Sequence, residues 1–134
     1  MSAAFRAVPG GRALTPAERD LLSHLARALG SDVSDQVTEC IVVGECHCGC
    51  SSIQLLTNAT PLHEDETRRR SASERSDYLC VSSSGRSMAR HEIYLGLHVV
   101  QGRLHELEIF DADVGEGAAV DLRTLTALTA PEVH

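Results

Sequence analysis

Apolar residues recur along this chain with two different periods. Leu21, Leu22, Leu25, Ala28 and Leu29 fall on one stripe at helical spacing. Thr15-Pro16-Ala17-Glu18 stands before that stripe as a capping box: Thr15 at the N-cap, Pro16 at the first helical position, Glu18 reaching back. Gly30 supplies the stop. Strand character follows. The β-branched run Ile41-Val42-Val43 predicts a strand over 37–45, and Ile53-Gln54-Leu55-Leu56 a second one. The two read as a hairpin whose tip is Cys46-His47-Cys48-Gly49-Cys50. Tyr78-Leu79-Cys80-Val81 restarts the pattern, and Ser83-Ser84-Gly85 is expected to break it. The clearest alternation comes last: Ile93, Leu95, Leu97 and Val99, then Leu107 and Ile109, with Gln101-Gly102 between them, predict a hairpin.

Two registers compete for that hairpin. A two-residue loop at Gln101-Gly102 would set Glu106 opposite Leu97 and Glu108 opposite Leu95. A three-residue loop over 100–102 pairs Leu95 with Leu107 and Ile93 with Ile109, and buries no carboxylate. The second register is therefore expected. It also separates His98 from His105, which the first would place side by side as a metal pair. On the outer face it gathers Tyr94, His98, Glu106 and Glu108 around Gly96, a candidate contact surface.

Between these elements the pattern fails. Residues 58–77 are polar and charged, with His63-Glu64-Asp65-Glu66 followed by Arg68-Arg69-Arg70, and read as a long loop. Residues 1–14 read as a flexible terminus. Leu122, Leu125 and Leu128, with Asp121 as a cap, suggest a short C-terminal helix. The expected fold is a single α+β domain over 1–134, its N-terminal helix packed on an antiparallel sheet of four or five strands.

Composition then removes several functions. The formal charge is −7, with no Trp, two Phe and two Tyr, so both phosphate attraction and base stacking are poorly served and nucleic acid is not an expected partner. All twelve basic residues are Arg, so no lysine is present for Schiff-base chemistry. No apolar run approaches the roughly 20 residues that span a membrane, and the first fourteen residues lack a signal-peptide core, so a cytoplasmic protein is expected.

The run Cys46–Cys50 puts three thiols and an imidazole within five residues. Metal binding through Cys46, Cys48, Cys50 and His47, with zinc as the ion, is one reading. Alternate strand residues, however, stand roughly 6–7 Å apart, too far for sulfurs around one ion unless Gly49 bends the chain. Zinc pairs also favour two intervening residues, where this run has one. The spacing favours small half-buried residues at a tight hairpin tip. Thiol redox chemistry within the same turn is a further alternative. Phosphate-loop, nucleophile-elbow and His-Glu-X-X-His motifs are all missing, so no catalytic residue is assigned.

The Cys-X-Cys-Gly-Cys turn, together with the final run Gly102-Arg103-Leu104-His105-Glu106-Leu107-Glu108-Ile109, resembles small uncharacterised α+β domains of GC-rich actinobacteria. Some small acidic proteins of that general look are immunity proteins of toxin systems. The resemblance implies a non-enzymatic binding module and identifies no binding residue. The −7 charge, the missing catalytic motifs and the few aromatic residues point, on their own, to docking of a basic protein partner through Glu106, Glu108 and the 63–66 acidic run, without a cofactor. A metal- or thiol-dependent protein built on the Cys46–Cys50 turn is the alternative.

Overall fold

The structure, a computed structural model, describes residues 5–71 and 77–134. Among these residues seven strands form one sheet: β1 (Phe5–Ala13), β2 (Ile41–Cys46), β3 (Ile53–Leu56), β4 (Tyr78–Arg86), β5 (Glu92–Val100), β6 (Arg103–Asp111) and β7 (Glu132–Val133). Their order across the sheet is β1-β2-β3-β6-β5-β4-β7, and every neighbouring pair is antiparallel. The α-helices are short: α1 (Pro16–Ala26), α2 (Ser34–Thr38) and α3 (Glu64–Arg70). The expected α+β fold, a helix laid on four or five strands, is thereby corrected. The molecule is mostly β, organised on a seven-stranded sheet.

Each departure has a local cause. Phe5–Ala13 shows no alternation because it is an edge strand interrupted by Pro9-Gly10-Gly11, where Gly10 and Gly11 take φ of 73° and 72° and the pairing with β2 shifts. The predicted flexible segment 1–14 thus carries a strand over its described part. Val37, read as the start of a strand, lies in α2, and β2 begins at Ile41. Ser83-Ser84-Gly85 does not end β4. Ser83 and Gly85 pair with Leu95 and Ile93, and the Ser83 hydroxyl donates to the Thr129 carbonyl at 2.7 Å. The C-terminal chain covers them, so that a side chain at Gly85 would meet Leu128 at 2.9 Å. That chain holds one 3₁₀ turn, Leu122–Thr124, in place of the expected helix, with Asp121 accepting from the Arg123 amide.

The 58–77 stretch also differs from expectation. His63 caps α3, its Nδ1 accepting from the Asp65 amide, and residues 72–76 lie outside the described residues. Charge pairing holds the helix, with Arg68 on Glu64 and Asp65, Arg69 on Glu66, and Arg70 on Glu66. A search for apolar period cannot find such a helix.

One cluster forms the core. Leu22, Leu25, Val33, Val42, Leu79, Val81, Ile93, Leu95, Leu97 and Leu107 are all fully buried in it. The capping box of α1 is present: the Thr15 hydroxyl accepts from the Glu18 amide at 3.1 Å, and Glu18 accepts from the Thr15 amide at 2.8 Å.

The final hairpin resolves its register in a third way. Gln101 and Gly102, both at positive φ (53° and 77°), make the two-residue turn, with Val100 opposite Arg103. A bulge at His105 then shifts the ladder. Val99 faces Leu104 and His98 faces Glu106, which sets Leu97 opposite Leu107 and Leu95 opposite Ile109. The predicted three-residue loop, with Leu95 on Leu107 and Ile93 on Ile109, is not formed. The constraint behind it is met nonetheless, because Leu107 and Ile109 are buried and Glu106 and Glu108 stay on the other face.

Candidate metal centre and the outer sheet face

The Cys-rich run begins at the last residue of β2 and turns at once. The Cys46 amide donates to the Ser52 carbonyl at 3.3 Å, and the Gly49 amide to the Cys46 carbonyl at 3.2 Å. Gly49 sits at φ 92°, a conformation that glycine takes without strain. The chain therefore leaves strand geometry at the point where strand geometry would have held the sulfurs apart. The Sγ atoms of Cys46, Cys48 and Cys50 all lie within 4.8 Å of one another, with Cys46 and Cys48 2.9 Å apart.

Two serines that the sequence reading passed over anchor the turn. The Ser51 hydroxyl accepts from the Val120 amide at 2.8 Å and donates to its carbonyl at 3.0 Å. Ser52, buried, does the same with Ile109 at 2.8 and 3.2 Å. Gly117 lies against the turn from the other side, where a Cβ would come within 3.0 Å of the Cys48 carbonyl oxygen. Cys48 is exposed, and Cys50 borders a groove of about 540 Å³ shared with Arg12, Glu18 and Glu45.

The thiols are not equivalent. Burial and the hydrogen bond to Cys48 push Cys46 up to about 12. Hydrogen bonds from Cys46 and from the Cys50 amide draw Cys48 below the ordinary thiol value. Of the two, Cys48 is the more readily ionised, and its thiolate the more available ligand or nucleophile.

No fourth ligand joins the three sulfurs among the described residues. His47 is exposed and outside the converging set. Cys40 is buried in the core, where loss of solvent pushes it up to about 11, and His63 is committed to capping α3.

Tyr94, His98, Glu106 and Glu108 share the outer face of β5 and β6, at positions alternating with the buried ones. Tyr94 lies over Gly96, where a Cβ would meet its Oη at 2.9 Å. Two residues of β4 join them because Tyr78 and Cys80 pair with Val100 and His98. The Tyr78 hydroxyl contacts His98 Nδ1 at 2.5 Å, His98 Nε2 reaches Glu108 at 2.8 Å, and Cys80 Sγ lies 3.9 Å from the Tyr94 hydroxyl. Hydrogen bonds to Cys80 and Glu108 push His98 up to about 11. Burial opposes ionisation of Cys80, but the hydrogen bond and charge of His98 draw its thiol below the ordinary value. Tyr94 is raised by burial and by Cys80. His105 sits in the bulge and forms no pair with His98, which faces Glu106.

The chain is thus a mostly-β domain carrying a three-thiol turn at one end of a strand pair and a His–carboxylate cluster on an open sheet face. No family model matches it, and neither a curated protein nor a solved structure is similar to it at a significant level. Among the described residues, no helix is long and apolar enough to cross a membrane.

Proposed function

We propose that this protein binds a soft metal ion through Cys46, Cys48 and Cys50, with zinc as the ion. The carrying observation is the convergence of three sulfurs within 4.8 Å of one another on a turn anchored by Ser51 and Ser52. Thiolates that share one ion at about 2.3 Å stand roughly 3.8 Å apart, so small side-chain rotations close the site. Three protein ligands leave a fourth position for water or an incoming ligand, as in zinc sites that exchange or react. The exposed position of Cys48 fits such an open site. Thiolate donors also suit cuprous ion, which the test includes as a competitor.

The binding-module reading has weaker support. The 63–66 carboxylates are engaged by Arg68, Arg69 and Arg70 of the same helix, and Glu108 by His98, so much of the acidic surface that would attract a basic partner is neutralised within the chain.

Native mass spectrometry of the reduced chain, titrated anaerobically with zinc and then with cuprous ion, tests the reading. One ion should be retained per chain, Cys48→Ser should lose it, and a chelator should remove it without unfolding the protein, because none of the three cysteines belongs to the core cluster. No retained ion, or equal retention by Cys48→Ser, would overturn the proposal.

A further inference from the structure

The outer face of the sheet carries a second set of donors, independent of the cysteine turn. One ligand atom each from His98, Glu106 and Glu108 lies within 4.8 Å of the others. All three stand on the paired strands β5 and β6, where His98 faces Glu106 beside the bulge and Gly96 faces Glu108, so strand pairing, not a loop, fixes their spacing. His98 Nδ1 is taken by the Tyr78 hydroxyl, which orients the ring and directs Nε2 toward the Glu108 carboxylate 2.8 Å away. Histidines that ligate metals are commonly held in this way, through the nitrogen that does not bind the ion. Glu106 faces the same point. No hydrogen bond or ion pair engages its half-buried carboxylate among the described residues, although Glu108 stands beside it with like charge. Two adjacent carboxylates, one of them without a donor and the other on the imidazole nitrogen, form a donor set that a cation would draw together. With His98 and Glu108 side chains 19% and 38% exposed, an ion reaches the site from solvent.

We propose that His98, Glu106 and Glu108 form a second cation site that takes a divalent first-row ion of the Mn²⁺ class through one imidazole nitrogen and two carboxylates. The donor set decides the class. Carboxylate oxygen favours harder ions than thiolate does, and a single imidazole keeps the site within the transition series. The two sites therefore sort metals, with soft ions going to the sulfur turn and harder ones to the sheet face. On binding, the ion displaces the proton that His98 Nε2 holds against Glu108, and that proton leaves to solvent.

Mn²⁺ alone is the probe, because thiolates compete for it weakly. The full chain is titrated with Mn²⁺ by electron paramagnetic resonance, and histidine ring signals are followed by NMR. One Mn²⁺ per chain should bind, and the His98 ring should broaden before those of His47, His63 and His105. Cys48→Ser should bind unchanged, and Glu106→Gln should weaken binding by more than about tenfold. The wild-type NMR pattern needs no variant, so a folding defect in Glu106→Gln would not decide the matter. Absence of saturable binding, first broadening of the His63 ring beside the α3 carboxylates, or full-strength binding by a folded Glu106→Gln would overturn the proposal.

Discussion

Glu18 is a carboxylate only 6% exposed, yet it stays ionised. Burial alone would raise its pKa. The bidentate contact with Arg12, at 2.9 and 3.0 Å, and the bond from the Thr15 amide overcome that cost and hold it below the ordinary value of 4.5. A carboxyl depressed in the folded state adds stability above its unfolded pKa, and that stability is lost as pH falls through the folded value. Glu18→Gln should therefore cost about 1–3 kcal/mol at neutral pH, and the difference from wild type should shrink below pH 4.5. Urea titrations at several pH values check this; a constant difference would mean that the charge contributes nothing. Gly102 is constrained differently. At φ 77° it turns the hairpin, and a Cβ there would sit 2.5 Å from the Leu62 carbonyl oxygen and 2.9 Å from its nitrogen. Fully buried Gln36 pins the same point, donating to the Gly102 carbonyl at 2.8 Å and accepting from the Leu104 amide at 3.0 Å. Gly115 also has positive φ but open space around it. Gly102→Ala should cost clearly more than Gly115→Ala, for which backbone strain of about 1–2 kcal/mol is the only penalty. Equal midpoints in chemical denaturation would contradict this.

At the scale of elements, the β5–β6 hairpin shows how one extra residue can preserve a face. His105 is the residue the bulge absorbs, so Leu104 and Leu107 both point inward although they are three apart. Deleting His105 should leave a regular ladder with the same inward residues and a folded protein. Deleting Glu108 from the same strand should turn Ile109 outward and Phe110 inward and unfold or aggregate the chain. Circular dichroism and solubility of the two deletions distinguish them, and equal tolerance would mean that the register is not set by burial. The same hairpin shows what the sequence makes legible. Alternation identifies β5, β6 and β3, and the rule that carboxylates stay out of the core is correct, but alternation cannot see a bulge. It placed Tyr94, His98, Glu106 and Glu108 on one face and left out Tyr78 and Cys80, whose proximity depends on the pairing of β4 with β5. It passed over α3, which charge pairs hold together, and β1, where Pro9-Gly10-Gly11 breaks the period. For the Cys46–Cys50 run, extended geometry argued against convergence. A left-handed glycine and two serine anchors reverse that conclusion, and neither leaves a mark in hydrophobic pattern.

Across the whole molecule, the core and the chemistry are separate. The buried cluster draws on α1 and the sheet, while the three thiols lie at a turn outside it and the His–carboxylate set lies on the face away from it. Under the proposed reading, that separation would let the turn gain and lose an ion without disturbing the fold. X-ray absorption at the zinc edge, on reduced protein carrying one equivalent of zinc, tests the central claim directly. The account predicts a first shell dominated by three sulfur scatterers at about 2.3 Å, with one lighter atom completing the coordination. A first shell of nitrogen and oxygen alone, at about 2.0–2.2 Å, would contradict it.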